Sequence, residues 1–478
     1  MSTDRRKFLR SISIGGGLLA TGLPVFAGSL ASTDEEVERS KSLETSKQRF
    51  NMCGYSAPKL PVVRVGVIGL GMRGSGAVER LCRIEGVEMV ALCDKFPDRV
   101  TRAQKTLEKT NRPKAKEYSS EEGWKALCDS NDIDLVYNTT PWELHAPISL
   151  RAMKNDKHAA SEVNAGLSTD QLWDLVETSE RTKKHLMMLE NCCYDFFEML
   201  TLNMARNGLF GELVQGEGAY IHDLSRDYLF NKRAYTDMWR LKENYKLHGN
   251  LYPTHGLGPV AQCMNINRGD KMDYLVSMST NDFTLNNMAK ELAEKDSFFN
   301  EFIDKPYRGN MNSTIIKTNK GRNIMLQHDV STVRPYSRLH TLSGTKGIAQ
   351  KYPGPEKIAF GHSWIKKEEL DDLYKKYTPA LVNHIGEIAK EVGGHGGMDF
   401  IMDWRLIDCL RNGLPLDQDV YDAASWSSII PLSERSLNKR SGSVDIPDFT
   451  RGAWKTNKPH SLTVEGGGTT TVRKIEKK

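Results

Sequence analysis

The stretch VVRVGVIGLGMRG, residues 62–74, decides the fold of the N-terminal half of this chain. It opens with a β-branched apolar run, which is the pattern of a buried parallel strand. Of the glycines that follow, Gly69 permits a tight turn, Gly71 lets the backbone approach a pyrophosphate, and Gly74 allows close helix packing. A helical pattern comes next and would point its free N–H groups at the phosphates. The stretch predicts a dinucleotide site, and the alternative is a structural glycine turn in an unrelated α/β protein.

An acidic residue closes the next strand-like run, VEMVALCD, residues 87–94. Asp94 comes 25 residues after Gly69, a spacing at which such a carboxylate binds the ribose hydroxyls of the nucleotide. A carboxylate at this position favours NAD over NADP. Arg73 and Lys95 are close in sequence and weaken that preference. We therefore expect NAD as the cofactor and leave NADP open.

Alternating strand and helix patterns continue to about residue 194 and predict an α/β domain with a Rossmann, doubly wound parallel sheet over residues 62–194. In such a sheet the carboxyl ends of the strands face one ligand-binding crevice. Further polar residues stand at predicted strand ends, at 138–145, 162–164 and 190–191. We expect them to share the crevice with the glycine turn, while helix capping or turn chemistry is the alternative for each.

The pattern changes beyond residue 194, where longer strand-like segments follow one another. Adjacent strands at this spacing predict an open mixed or antiparallel sheet, and so a second, α+β domain over residues 195–440. We assign substrate binding to this domain and treat residues 441–478 as a polar C-terminal tail. The strand-like segments lie near 212–222, 273–284, 313–318, 323–331 and 337–343.

The N-terminus has the pattern of an export signal. The basic segment RRKFLR, residues 5–10, precedes an apolar, glycine-rich run that ends in small residues. Residues 1–31 therefore resemble a twin-arginine signal peptide, which predicts a periplasmic or secreted protein. An ordinary basic N-terminus or a retained anchor is the alternative. We interpret the polar residues 32–61 as a linker or an extended arm.

Composition excludes several classes of function. With 66 Lys and Arg against 61 Asp and Glu, the net charge of +5 is a weak bias for 478 residues, and no basic stripe with interleaved aromatics indicates nucleic-acid binding. No other segment reaches the ~18 to 20 apolar residues of a membrane helix, so we expect no stable membrane insertion. The eight cysteines show neither zinc spacing nor a disulfide framework, and we predict no metal.

Residues 62 to about 440 resemble the glucose-fructose oxidoreductase, inositol dehydrogenase and MocA superfamily. That superfamily usually carries Glu-Lys-Pro where this chain has Glu162, Val163 and Asn164. Its lysine assists hydride transfer at a sugar hydroxyl, so Val163 argues against a plain dehydrogenase. The open sheet of the second domain often forms interfaces in this superfamily, which implies a possible homodimer.

The chain is more specifically similar to the NAD-dependent α-N-acetylgalactosaminidases of glycoside hydrolase family 109. The matching stretches are GLGMRGSG, TTPWELHAP, SEVNAG, LENCCYDFFEM, MWRL and GNLYPTHGLGP. The NAD contacts that this resemblance implies are Met72, Arg73, Asp94, Trp142, Glu143, Leu144, His145, Glu162, Val163 and Asn191. The substrate contacts that it implies are Tyr220, Arg240, Tyr252, Pro253, Thr254, His255 and Tyr336.

The resemblance also implies a redox-assisted elimination, in which NAD takes hydride from C3 of the sugar and later returns it. The acidified C2 proton is removed, the aglycone leaves from C1, and water adds. This scheme needs a base, an acid and donors for a developing enolate. We predict Tyr194 as the C2 base, with a lowered pKa, and His255 as the acid/base at the leaving oxygen or the C3 hydroxyl.

The sequence therefore leaves three functions open. The first is a glycosidase that removes terminal α-linked N-acetylgalactosamine from glycans without net redox change. The second is a periplasmic NAD(P)-dependent sugar oxidoreductase, which would form reduced cofactor in proportion to oxidised sugar. The third is a secreted NAD- or glycan-binding module without catalysis.

Overall fold

The computed structural model describes residues 34–459 and 461–473. The predicted twin-arginine signal lies outside these described residues. Within them, no helix is both long enough and apolar enough to cross a membrane.

The first domain is built on a six-stranded parallel sheet with the strand order β3-β2-β1-β4-β5-β6. This order reverses at β1, and such a switch point leaves a crevice above the strand ends. The doubly wound sheet predicted from the sequence is thereby confirmed. Its strands are β1 (Val63–Ile68), β2 (Val87–Cys93), β3 (Lys116–Tyr118), β4 (Leu135–Asn138), β5 (His158–Ser161) and β6 (Leu186–Met188).

Helices connect these strands, and their ends follow local sequence signals. The Ser168 hydroxyl accepts a hydrogen bond from the Gln171 N–H at 3.2 Å and caps the helix that starts at Thr169. The helices up to this point are α1 (Asp34–Thr45), α2 (Met72–Cys82), α3 (Pro97–Lys109), α4 (Gly123–Asp129), α5 (His145–Lys154) and α6 (Thr169–Thr182).

The N-terminal arm is not extended over its whole length, contrary to one interpretation of residues 32–61. Residues 34–45 form α1, which packs on α6. The Trp173 indole N–H donates to the Ser40 hydroxyl at 2.8 Å, and Arg39 pairs with Asp170 at 2.6 Å. These contacts with a helix more than a hundred residues away are not visible in the local sequence pattern.

The second domain holds an eight-stranded sheet with the order β13-β12-β11-β7-β10-β9-β8-β14. Among the strands that the structure describes in it, only β7 and β10 pair in parallel, so the predicted mixed open sheet is confirmed. Its strands are β7 (Leu213–Ile221), β8 (Met272–Ser279), β9 (Asn312–Thr318), β10 (Asn323–Asp329), β11 (Thr341–Gly344), β12 (Ile348–Gln350), β13 (Lys357–Ala359) and β14 (Val444–Asp445).

The remaining helices join the two sheets into one structure. α13 contacts β1 and α2, α14 contacts α6 and β6, and α15 packs on β8. C-terminal helices thus cover the first sheet as well as the second. These helices are α7 (Phe196–Arg206), α8 (Trp239–Lys246), α9 (Thr254–Cys263), α10 (Leu285–Ala293), α11 (Lys367–Tyr377), α12 (Ala380–Val392), α13 (Met398–Asn412), α14 (Val420–Ser427) and α15 (Ile429–Asn438).

Candidate active site

A cleft of about 780 Å³ lies between the two domains. One wall carries residues that follow the strands of the first sheet, and the other carries residues of β7, α8 and α9. Most of the predicted site residues line this cleft. They are Gly69, Gly71, Met72, Arg73, Asp94, Trp142, Glu143, Leu144, His145, Glu162, Val163, Asn191, Tyr220, Arg240, Tyr252 and His255.

The glycine turn between β1 and α2 leaves no room for a side chain at Gly69 or Gly74. Gly69 has a φ of +88°, and a Cβ there would lie 2.8 Å from the Thr139 carbonyl carbon. A Cβ on Gly74 would lie 1.8 Å from the Gly69 oxygen, so the helix can approach the turn only with glycine there. At Gly71 the nearest neighbour of such a Cβ is the Arg99 Nη1 at 3.7 Å, which leaves the backbone open to a ligand. The turn therefore fits a bound pyrophosphate.

The Asp94 carboxylate is fixed at the end of β2. Its Oδ2 accepts from the Leu70 N–H at 2.7 Å, and its Oδ1 accepts from the Phe96 N–H at 2.9 Å. Arg99 Nη1 stands 3.5 Å from Oδ2. A carboxylate held in this way suits ribose hydroxyls and disfavours a 2′-phosphate, which fits NAD.

A buried ion network continues the first wall. Arg73 pairs with Glu162 at 2.7 Å and with Asp399 at 3.1 Å, and the Asn191 amide donates to Asp399 at 2.5 Å. His395 Nδ1 lies 2.9 Å from the same carboxylate. Burial favours the neutral acid, but the bond from His395 and the charge of Arg73 outweigh it and hold the pKa of Asp399 far below its usual range. Asp399 thus ties two predicted cofactor residues, Arg73 and Asn191, to α13.

His145 holds the turn after β4 in place. Its ring nitrogens lie 2.6 Å from the Asn164 carbonyl oxygen and 2.7 Å from that of Thr140. The ring is fully buried, and burial lowers the pKa of His145. This histidine acts as a support for the segment that carries Trp142 to the cleft.

His255 and Glu190 form a hydrogen-bonded pair in the opposite wall. His255 Nδ1 lies 2.7 Å from Glu190 Oε1, and the Glu190 side chain is fully buried while 13 % of the His255 side chain is exposed. Burial would raise the pKa of Glu190, but His255, Thr254 and the Cys192 N–H together lower it. The ionised carboxylate therefore orients the imidazole, as the acid of a catalytic triad does.

Glycines set the position of His255. A Cβ on Gly218 of β7 would lie 2.3 Å from the Gly256 oxygen of α9, so strand and helix touch backbone to backbone. Tyr220, two residues along β7, consequently lies beside the histidine with ring centroids 5.4 Å apart. The short segment THGLGP is what lets His255 enter the cleft at the first turn of α9.

Aromatic rings line the cleft around His255. The Tyr252 ring lies 4.7 Å from both the His255 ring and the Tyr220 ring, and 5.8 Å from Trp142. Burial raises the pKa of Tyr220 and that of Tyr252, although the Arg240 charge opposes it. Both phenols stay protonated and can donate hydrogen bonds to a ligand.

The structure does not bring Tyr194 to the cleft. Its side chain is fully buried, and its hydroxyl donates to Asp417 at 3.3 Å. Burial and the Asp417 charge raise the pKa of Tyr194 well above its usual value, the opposite of the lowered pKa that a C2 base needs. Tyr194 follows the strand as predicted. The local sequence did not show that the turn Asn191–Tyr194 directs the Tyr194 side chain into the core. We drop Tyr194 from the site.

Three other predicted contacts are not among the residues that line the cleft. Pro253 and Thr254 begin α9, with Thr254 fully buried next to Glu190. Tyr336 packs edge-on against His222 at 5.2 Å and accepts a hydrogen bond from Arg338 at 3.0 Å. It therefore lies beside residues that line the cleft.

Sequence reasoning missed the residues that act through partners distant along the chain. Glu190 was noticed only as a strand end, and His222, Tyr235 and Trp239 of the cleft were not selected as ligand contacts. Glu190, Cys192 and His255 also have ligand atoms within 4.8 Å of one another, a spacing that could hold a metal ion. In the structure two of these three residues, Glu190 and His255, are hydrogen-bonded to each other.

Comparison with known proteins decides the family. Residues 194–456 match the glycosyl hydrolase 109 C-terminal domain. The chain is 46% identical over 456 residues to glycosyl hydrolase family 109 protein 1 of Bacteroides fragilis, across 91% of this chain and 96% of that one. This chain belongs to glycosyl hydrolase family 109. A Shewanella pealeana protein of family 109 is 44% identical over 466 residues, across 96% of this chain and 99% of its own.

The N-terminal part of this family 109 chain matches the model of a second protein family. Residues 63–189 match the oxidoreductase family with an NAD-binding Rossmann fold, which confirms NAD as the cofactor. The fold is shared with the levoglucosan dehydrogenase complex with NADH and levoglucosan, at a TM-score of 0.60 and 15% identity over 81% of this chain and all of that one. The scyllo-inositol dehydrogenase of Lactobacillus casei with bound NAD(H) gives 0.57 and 13%, with the same coverage. The chain is thus a glycoside hydrolase on an NAD-binding oxidoreductase fold.

Proposed function

We propose that this enzyme removes terminal α-linked N-acetylgalactosamine from glycans by an NAD-dependent sequence of oxidation, elimination, addition and reduction. The observation that supports this most is the His255–Glu190 pair, which faces the same cleft as the glycine turn and Asp94. A proton-transfer group and a dinucleotide site share one cavity with an aromatic wall suited to a sugar.

Held by the glycine turn and Asp94, NAD⁺ would supply a hydride acceptor and donor for C3 of the sugar. The chain's own residues do the binding and orientation: the glycine turn takes the pyrophosphate, and Asp94 takes the ribose hydroxyls. Glu162, fixed by Arg73, stands at the end of β5 on the same wall. Val163 occupies the position of the superfamily lysine and provides no proton acceptor.

His255 is the proton-transfer group of the proposed reaction. Its Nδ1 is engaged by Glu190, so Nε2 is the nitrogen left for the sugar. We assign to Nε2 the removal of the C2 proton, because Tyr194 does not reach the cleft. The neutral phenols of Tyr220 and Tyr252 donate hydrogen bonds to sugar oxygens, and the flat face of Tyr252 contacts the ring.

Activity on nitrophenyl glycosides tests this proposal. Wild-type enzyme should hydrolyse the α-N-acetylgalactosaminide faster than the α-galactoside or the β-anomer. His255→Ala should lower kcat by about 10²- to 10⁴-fold, the range for loss of a general base. The matched control is His362→Ala, because His362 is exposed and lies outside the cleft. Equal rates for the His255 variant and wild type, or no hydrolysis of the α-N-acetylgalactosaminide by wild type, would refute the proposal.

We further propose that the enzyme is exported by the twin-arginine route, on the basis of Arg5, Arg6 and the apolar run that follows them.

We also propose a homodimer that forms through the open face of the second sheet. Cell fractionation of an Arg5→Lys/Arg6→Lys variant and sedimentation of the mature protein test the two points separately. Unchanged periplasmic yield would reject the first, and a monomer at micromolar concentration the second.

A further inference from the structure

The thiol of Cys192 lies beside the Glu190–His255 pair, and the proposed reaction gives it no task. Its side chain is buried, and its sulfur donates to the Asn191 side-chain oxygen at 3.5 Å. The sulfur, a Glu190 oxygen and a His255 ring nitrogen all lie within 4.8 Å of one another. Within residues 34–459 and 461–473, no other set of three acidic, cysteine or histidine side chains brings its ligand atoms this close. A carboxylate, a thiol and an imidazole therefore meet at one point beside the cleft.

Two closely packed elements hold these three side chains. The turn Asn191–Tyr194 carries Cys192 directly after Glu190, and the first turn of α9 carries His255. A Cβ on Gly258 would lie 3.0 Å from the Glu190 Cγ, so α9 packs tightly against the segment that holds the other two ligands. The Cys192 N–H also donates to Glu190 at 3.0 Å. The ligands are thus held near one another by the fold and need little rearrangement to bind an ion.

The types of ligand determine which ion fits. Thiolate and imidazole ligands suit Zn²⁺, whereas Mg²⁺ and Mn²⁺ prefer oxygen ligands. One carboxylate, one thiolate and one neutral imidazole around Zn²⁺ form a centre without net charge, which avoids burying an uncompensated ion. Three protein ligands leave the fourth tetrahedral position to water. His255 is the member that lines the cleft, so an ion can enter past its ring.

We propose that Glu190, Cys192 and His255 form an inhibitory Zn²⁺ site, and its effect on turnover rests on the function proposed above. Zn²⁺ bonds to a Glu190 oxygen, to the Cys192 sulfur and to His255 Nδ1, the ring nitrogen that faces the carboxylate. The Cys192 S–H bond breaks, and its proton goes to solvent. The proton of the neutral imidazole moves from Nδ1 to Nε2, and no atom changes its oxidation state.

Zn²⁺ at this site removes the proton acceptor without occupying the position of the sugar. With the metal on Nδ1 and a proton on Nε2, His255 can no longer take the C2 proton. Burial raises the pKa of the Cys192 thiol well above its usual value, so the thiol stays protonated in the metal-free enzyme. Coordination overcomes this, because a thiol bound to a metal ion is deprotonated outright. We expect kcat to fall with Zn²⁺ occupancy while KM changes little.

Cobalt binding tests the site on the mature enzyme with its NAD and without substrate. Co²⁺ takes the place of Zn²⁺ in tetrahedral sites, and its bond to a thiolate gives a charge-transfer band in the near ultraviolet. Wild type should show this band, and Zn²⁺ should abolish it. Cys192→Ser should lose the band although the other cysteines remain, and should bind Zn²⁺ at least about 10²-fold more weakly. Cys193→Ser, which removes the neighbouring buried thiol, is the matched control and should keep both properties.

Hydrolysis of nitrophenyl α-N-acetylgalactosaminide measures the inhibition. Zn²⁺ at about ten times its dissociation constant should leave roughly a tenth of the metal-free rate in wild type and in Cys193→Ser. Cys192→Ser should keep most of its own metal-free rate at that concentration, and Mg²⁺ should not inhibit any of the three proteins.

Three outcomes would overturn the assignment: no cobalt–thiolate band in wild type, a band without loss of rate, or equal Zn²⁺ sensitivity of wild type and Cys192→Ser. Absence of hydrolysis by metal-free wild type would instead reject the proposed function, and the cobalt band would still report the metal site.

Discussion

Glu190 determines which nitrogen of His255 is left free towards the cleft. Its buried carboxylate lies 2.7 Å and 2.9 Å from Nδ1 through its two oxygens, and it also accepts the Cys192 N–H at 3.0 Å. Glu190 acts through His255 and is therefore a positioning residue. This arrangement supplies an oriented imidazole to the cleft.

The Glu190→Gln substitution should remove the orienting charge and keep the shape. We expect kcat to fall by about 10²-fold or more, while KM changes little, because a neutral amide would no longer fix the imidazole tautomer. Initial rates over a range of nitrophenyl glycoside concentrations give both constants. Glu190→Asp, which retains the charge, should lose less. A variant in which only KM rises would contradict this role for Glu190.

Asp195 should make the folded state sensitive to acid. Its carboxylate pairs with Lys351 at 2.5 Å and with Arg338 at 3.0 Å; burial opposes ionisation, but these cations lower the pKa of Asp195 to about 2. Since the folded pKa lies below the unfolded value, the stabilisation is complete above about pH 4 and is lost as pH falls towards 2. Asp195→Asn should thus cost about 2 kcal/mol at pH 7 and nothing near pH 2.

The neighbouring Glu198 has a pKa shifted in the opposite direction to that of Asp195. It is fully buried and shares Arg338 with Asp195, and burial raises the pKa of Glu198 to about 8. Its folded pKa lies above the unfolded value, so wild-type stability falls as pH rises from about 4.5 to 8. Urea unfolding of wild type, Asp195→Asn and Glu198→Gln from about pH 3 to 9 separates the two slopes. Parallel stability curves for wild type and Asp195→Asn would show that Asp195 is not linked to folding.

At the scale of elements, periodicity and glycine spacing were sufficient to predict both sheets. The β-branched run before Gly69 indicated a buried strand, and the strand-like segments near 212–222 and 323–331 indicated the second sheet. The sequence could not show the contacts that join elements far apart. Tyr194 depends on Asp417, and Asn191 on Asp399, both more than two hundred residues away. For that reason the strand ends were predicted correctly, whereas the direction of the Tyr194 side chain was not.

The segment between β7 and α8 lines the cleft and contacts the first domain. Asp237 pairs with Lys95 at 3.1 Å, and the Thr236 hydroxyl accepts from Arg99 at 2.5 Å. Lys95 and Arg99 adjoin Asp94, where the ribose is expected to bind. The segment therefore covers the nucleotide half of the cleft, and these two contacts should slow cofactor release.

Breaking the Lys95–Asp237 pair should speed cofactor loss by a modest factor. Both side chains are partly exposed, and such pairs contribute at most about 1 kcal/mol, so Asp237→Ala should raise the NAD dissociation rate by up to about fivefold. Cofactor fluorescence after dilution measures this rate, and the exchanged pair Lys95→Asp/Asp237→Lys should slow it again. Lys232→Ala, which breaks a pair within the second domain, is the control. Equal release from all these proteins would exclude a retaining role for the segment.

At the scale of the whole molecule, one cleft combines a wall from the first sheet with a wall from the second, and the proposed function assigns the nucleotide to the first wall and the sugar to the second. α13 and α14 bridge the two domains: α13 carries Asp399 to the nucleotide side, and α14 packs on both α6 and α9. A rigid connection of this kind keeps His255 in register with the cofactor site. The proposed mechanism requires this register, because oxidation and elimination act on the same bound sugar.

The measurement that tests this account most directly follows nitrophenol and reduced cofactor at the same time. Mature enzyme, purified without added NAD, would be incubated with nitrophenyl α-N-acetylgalactosaminide and its absorbance recorded at the wavelengths of the two products. The account predicts many turnovers of nitrophenol with no net rise in NADH, because hydride returns to C3 in each cycle. Accumulation of NADH with oxidised sugar and no nitrophenol would contradict it and identify the enzyme as a sugar oxidoreductase.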